Sequence, residues 1–249
     1  MQHTILVLAA NPTDTKPLRL DQEVRDIREG LQRAQQRDAF KLETRHALRA
    51  QDLRRALLEV KPTIVHFSGH GEGLLGLMLE DPTGKAQAIP NEALGSLLSL
   101  FKDKIQCVLL NACYSRVQAE VITQYIPYVI GMSEAISDKA ALEYAVAFYD
   151  ALGAGESFEF AHQLGVTAIG LAGIKGAEIP VLLTNTALLK PVVAEPVTRG
   201  ASTSSLSVRN HELLLKKLEL LQRQRIMETR VEEQMRLDWV IEETQKLLS

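Results

Sequence analysis

The chain is short of the features that build crosslinked, membrane-spanning or nucleic-acid-binding proteins. It has two cysteines, Cys107 and Cys113, in 249 residues. Two thiols make no disulfide framework, so a reduced, cytoplasmic protein is expected. No apolar run approaches the ~18 residues that a membrane span needs. The N-terminal stretch MQHTILVLAANP has neither a basic n-region nor a small-residue cleavage site, so it reads as a first strand and not as an export signal. A net charge of −3 supplies no basic field, which argues against a nucleic-acid partner. No G-x-G-x-x-G follows the first strand, where Ala9-Ala10-Asn11-Pro12 stands instead, and this argues against dinucleotide binding. Gly84-Lys85 follows a turn inside a hairpin, not a strand, and is no phosphate loop. His3, His46, His162 and His211 show no metal-ligand spacing. Neither a metal nor an organic cofactor is expected.

What is present is a regular alternation of strand and helix patterns. Apolar, β-rich runs occur at 4–10, 63–67, 105–110, 128–132 and 179–184, and 40–46 reads as a short strand. Helical spacing occurs between them, for example at Leu20, Val24, Ile27 and Leu31. Residues 76–89 read as a hairpin around Asp81-Pro82-Thr83-Gly84. Six strands alternating with helices predict an α/β fold with a mostly parallel sheet flanked by helices. Ligand sites in such sheets lie beyond the carboxyl ends of the strands. The expected organisation is one domain over 1–184, a linker over 185–207, and a C-terminal helical hairpin over 208–249. The last segment has no glycine or proline and balanced charge, and its two apolar stripes suit a partner surface.

Two stretches bear chemistry. Ile64–Gly73 is a buried strand running into Gly69-His70-Gly71, and Cys107–Ser115 is a second apolar strand running into Asn111-Ala112-Cys113. If these strands are neighbours in a parallel sheet, their ends lie about 5 Å apart, and an imidazole would meet a thiol. The imidazole can take the thiol proton and later deliver it to a leaving amine. Gly69 and Gly71 let the chain turn tightly beside a substrate. The backbone N–H groups of Gly71 and Cys113 are candidates for an oxyanion hole. Cys107, inside its strand, reads as core, and His66 as a core or supporting histidine.

His66-Phe67-Ser68-Gly69-His70-Gly71, followed by Leu109-Leu110-Asn111-Ala112-Cys113, resembles the caspase-like (clan CD) cysteine proteases, most closely their bacterial CHAT branch. Caspases show Q-A-C-[RQG]-G at the nucleophile with the histidine about 50 residues upstream. Here the nucleophile stretch is Asn-Ala-Cys-Tyr-Ser and the gap is 43 residues, so the spacing fits and the flanks depart. The resemblance spans residues 4–184 and includes Gly131–Ala141 and Phe148–Gly155. It implies a cysteine endopeptidase acting on protein substrates, with Cys113 as nucleophile and His70 as base. In arginine- and lysine-specific relatives an acid stands two residues before the nucleophile and pairs with a basic P1 side chain. Asn111 is neutral and leaves P1 open. Glu134, Asp138 and Glu72 are further candidates for substrate binding, and Asp138 is also a candidate helix cap. Glu228–Leu237 is similar to the effector-associated segments of bacterial conflict systems. That likeness implies recruitment to a sensor or NTPase partner in a regulated defence or cell-death pathway. The alternative is a catalytically silent caspase-like adaptor. The connection at 124–127 is short, so activity is expected without cleavage there.

Overall fold

The computed structural model describes residues 3–189. The expected hairpin over 208–249, and all of the linker beyond Leu189, lie outside the described residues. Eight strands form in chain order: β1 (His3–Ala9), β2 (Phe40–Arg45), β3 (Ile64–Ser68), β4 (Leu77–Glu80), β5 (Ala86–Ile89), β6 (Cys107–Asn111), β7 (Tyr128–Met132) and β8 (Pro180–Thr184). Six of them make one sheet in the order β2-β1-β3-β6-β7-β8. All neighbours are parallel except β8, which runs antiparallel to β7. β4 and β5 pair separately as the predicted hairpin. β3 and β6 are buried along their whole length, which explains their largely apolar sequence, with His66, Ser68 and Asn111 as the buried polar exceptions.

Helices cover both faces. α1 (Leu20–Arg33) and the later α5 (Asp138–Ala154) and α6 (Phe158–Leu171) lie on one face; α2 (Ala50–Val60), α3 (Asn91–Ser99) and α4 (Arg116–Ile122) lie on the other. The strands divide their side chains with period two. Ile5, Val7, Ile64, Cys107 and Leu109 meet α1, α5 and α6, while Leu6, Leu8, Val65, Phe67, Val108 and Leu110 meet the other layer. Each such aliphatic side chain, fully buried, stabilises the fold by about 1.5–3 kcal/mol. α1 presents Leu20, Val24, Ile27 and Leu31 to the sheet, the stripe read from the sequence. α2 ends at Lys61 in the left-handed region, φ 49°, just ahead of Pro62.

One local expectation is corrected. α5 is capped by Ser137, whose side chain accepts the Ala140 N–H at 3.2 Å. Asp138 follows it inside the first turn, so its carboxylate sits at the dipole and not at the cap. Past β8, Asn185 ties the chain back to the domain, donating its N–H to the Pro127 carbonyl and its side-chain amide to Thr123. Among the described residues no helix is long and apolar enough to cross a membrane.

The sheet order places the site. From β1 the chain moves outward to β2, then returns across β1 to β3 and continues to β6. The loops leaving β1 and β3 therefore diverge, opening a crevice at their carboxyl ends. The Gly-His-Gly turn sits at that point.

Candidate active site

β3 and β6 are direct neighbours, and Ser68 pairs in register with Asn111. His70 and Cys113 each lie two residues past that pair. Both side chains are half-buried at the same rim of the sheet. The Gly69 N–H donates to the Asn111 carbonyl at 3.3 Å, which extends the strand contact into the turn. Gly71 then lies directly against the Ala112-Cys113 segment. A Cβ at Gly71 would stand 3.1 Å from the Ala112 Cβ and would collide with the Cys113 carbonyl oxygen. Only glycine lets the two backbones approach this closely.

The turn is also pinned from its outer side. Gly71 bridges antiparallel to Leu77, with the Met78 N–H donating to His70 O and the Glu72 N–H to Gly76 O. Gln118 in α4 donates to the Gly73 carbonyl and to Asn91 Oδ1. The helix that follows Cys113 is thus tied to the turn that carries His70. Among the described residues, neither the Gly71 N–H nor the Cys113 N–H has an acceptor.

The His70 ring is oriented by a backbone group. Nε2 lies 2.8 Å from the Lys16 carbonyl oxygen. A carbonyl only accepts, so Nε2 carries the proton and Nδ1 is left as the basic nitrogen. Lys16 belongs to the loop after β1. That loop is held by the Asn11 side chain bonded to both backbone groups of Leu18, and by Asp14 accepting the Ala86 N–H at 2.8 Å.

Cys113 sits in a strained turn. Tyr114 has φ 55°, a conformation unusual for a bulky side chain. Its N–H donates to Glu134 O at 3.2 Å. Ser115, fully buried, donates its hydroxyl to Leu110 O and accepts the Met132 N–H. Cys113 Sγ is 3.7 Å from Ile136 O. His70 and Cys113 are thus each held by a different carbonyl, and no hydrogen bond joins them. Replacing Tyr114 with glycine removes the backbone strain. We expect Tyr114→Gly to gain up to about 1 kcal/mol, a rise in Tm of roughly 2–4 °C for a domain of this size, read by thermal denaturation.

The other candidates separate by burial. Cys107 is fully buried, and desolvation pushes its thiol well above the ordinary range, so it is an inert core group. Glu72 and Glu134 are exposed on the loops after β3 and β7, and Asp138 is exposed in the first turn of α5. Asn111 is 5 % exposed and points inward, donating Nδ2 to Glu23 Oε1 at 2.6 Å and to the Ala141 carbonyl at 3.2 Å. Glu23 itself, an acid in the first turn of α1, gives no sign in the sequence that it is buried. The Lys16 carbonyl is equally invisible there, because a backbone oxygen carries no residue signature. No group of three His, Cys, Asp or Glu side chains among the described residues could hold a metal ion.

Residues 2–161 match the family profile described as the CHAT domain. The chain belongs to the CHAT domain family. A "Probable protease" of Gillisia limnaea is 27% identical over 197 residues, covering 73% of this chain and 35% of that protein. A "Roc-COR-CHAT protease" from an unknown prokaryotic organism is 27% identical over 172 residues, covering 66% of this chain and 16% of that protein. The chain therefore spans about a third and a sixth of the length of these curated relatives. Among solved structures, a secreted C11 cysteine protease of Bacteroides thetaiotaomicron, bound to an irreversible peptide inhibitor, superposes with a TM-score of 0.56 at 14% identity. That match covers 76% of this chain and 68% of the other. The caspase-like fold expected from the sequence is thereby found.

Proposed function

We propose that this CHAT domain is a cysteine endopeptidase in which His70 and Cys113 act together on a peptide bond. The observation that carries this reading is the packing of Gly71 against the Cys113 carbonyl, which brings the histidine turn onto the nucleophile turn. Cys113 Sγ attacks the scissile carbonyl while His70 Nδ1 takes the thiol proton. The Lys16 carbonyl holds the ring through Nε2. The Gly71 and Cys113 N–H groups, which have no acceptor within the described chain, face the developing oxyanion. His70 then protonates the leaving amine, and water releases the acyl group from sulfur. The Michaelis complex must turn both side chains from their resting carbonyl contacts toward one another, a tightening that free enzymes commonly require.

Activity in the intact chain fits the connection between α4 and β7. Its Tyr125 and Ile126 N–H groups bond back to Ile122 O, and Ile126 is fully buried, so it offers no extended segment for processing. The apolar stripes of 208–249, and the name of the Roc-COR-CHAT relative, support reading the C-terminal segment as a recruiting element for a sensor or NTPase partner. The regulated defence setting and the cytoplasmic location follow from the family likeness and from the pair of free thiols.

A peptide-library cleavage profile tests the reading. Wild-type protein cleaves a defined subset of the library; Cys113→Ala and His70→Ala each lower kcat/KM by at least about 10³-fold with an unchanged Tm. Cleavage that survives in Cys113→Ala rejects the proposal. Absence of cleavage by the wild type, together with iodoacetamide labelling of Cys113 that His70→Ala does not slow, favours the adaptor.

A further inference from the structure

Beneath the rim lies a polar cluster that the chemistry above does not use. Glu23 reaches from the first turn of α1 to the sheet, with its side chain 7% exposed. Oε2 accepts the Ser68 hydroxyl, and Oε1 accepts Asn111 Nδ2 at 2.6 Å. His66 Nε2 stands 3.2 Å from the same Oε1, and its ring stacks on Tyr149 with 5.7 Å between centroids. Ser68, Asn111 and His66 are each at most 5% exposed.

The placement of the two donors is specific. Ser68 and Asn111 are register partners on adjacent strands, and each precedes a proposed dyad member by two residues. One carboxylate therefore grips both strands, on the residue two positions before His70 and the residue two positions before Cys113. Asn111 Nδ2 also reaches Ala141 O in α5, so the grip is anchored to two helices of the same face, α1 and α5. A buried carboxylate is costly unless fully bonded, and this one collects three polar neighbours at the base of the two turns.

The geometry points to Glu23 as a positioning residue that sets the spacing of His70 and Cys113 by holding the strand residue two places before each. This rests on the dyad reading above. It goes beyond that reading by assigning the dyad's alignment to an acid on a separate helix. Glu23 touches neither reacting group; it acts through Ser68 and Asn111.

The test is a double-mutant cycle on the alkylation of Cys113 by iodoacetamide, followed by mass spectrometry in the full chain, with buried Cys107 as the internal unreactive thiol. His70→Ala slows Cys113 alkylation about tenfold in the wild-type background, because the thiolate loses its partner. In Glu23→Gln, which keeps the side-chain shape, the same His70→Ala step slows it less than about twofold. Ser68→Ala, which removes one arm and leaves the carboxylate, gives an intermediate factor and serves if Glu23→Gln does not fold. A mere loss of stability lowers Tm without changing the His70 factor. An undiminished factor in folded Glu23→Gln or Ser68→Ala overturns the positioning role. A wild-type rate that ignores His70→Ala overturns the dyad instead, so the two failures are told apart.

Discussion

Gly71→Ala lowers kcat/KM by about 10²–10³-fold on whichever library peptide the wild type cleaves fastest. The reason is local. The added methyl meets the carbonyl oxygen of Cys113, a backbone atom with no rotamer to yield. The two turns must part, and a displacement near 1 Å at the reacting groups costs about 10²-fold. The same movement carries the Gly71 N–H away from the proposed oxyanion position, where one donor is worth about 10²–10³ in kcat. Stability falls as well, by about 1–3 kcal/mol, the usual penalty for overpacking. Gly170→Ala is the matching control. Gly170 is exposed near the end of α6 with nothing within 4 Å of its would-be Cβ. It should leave cleavage unchanged and stabilise by about 0.5–1 kcal/mol. Equal cleavage rates for Gly71→Ala and wild type would remove the close approach from the mechanism.

Glu23→Ala unfolds the domain more than any surface change should, by about 3–5 kcal/mol in urea denaturation. Truncating one member of a buried ionic cluster leaves its partners without water or acceptor. Here those partners are the Ser68 hydroxyl, the Asn111 amide and the His66 ring. The pH dependence has a definite sign. Burial pushes the Glu23 carboxyl up, but the nearby His66 ring and the hydrogen bonds from Ser68 and Asn111 outweigh it and hold the carboxyl below its ordinary value of 4.5. The unfolded chain then binds this proton more readily than the folded one. The contribution is fully present above pH ~4.5 and is lost as pH falls through the lower, folded value. Glu23→Gln has no such proton to bind, so its denaturation midpoint should change less between pH 6 and pH 3. Parallel pH profiles for the two proteins would contradict the assignment.

Much of this was legible from residue order. The six sheet strands fall where the sequence predicted them; the inner ones were plainest, because strands covered on both faces are largely apolar. His70 and Cys113 were recognisable because glycine flanks one and a strand end precedes the other. The cap of α5 was misplaced by one residue, since Ser137 and Asp138 are both good caps and only the backbone conformation chooses between them. Glu23 was not legible at all. An acid in the first turn of a helix ordinarily faces solvent beside the dipole, and its burial depends on where α1 crosses the sheet.

Residue order alone determined the α/β class, the two thiols of unequal burial, and the turn types that end β3 and β6. These depend on periodicity and on backbone sterics, which act over a few neighbouring residues. Only the tertiary structure decided that Gly71 touches Cys113, that the Lys16 carbonyl orients His70, and that Glu23 grips Ser68 and Asn111. Those contacts join residues 42 to 88 positions apart in the chain. They arise from strand order and register, which no local pattern encodes.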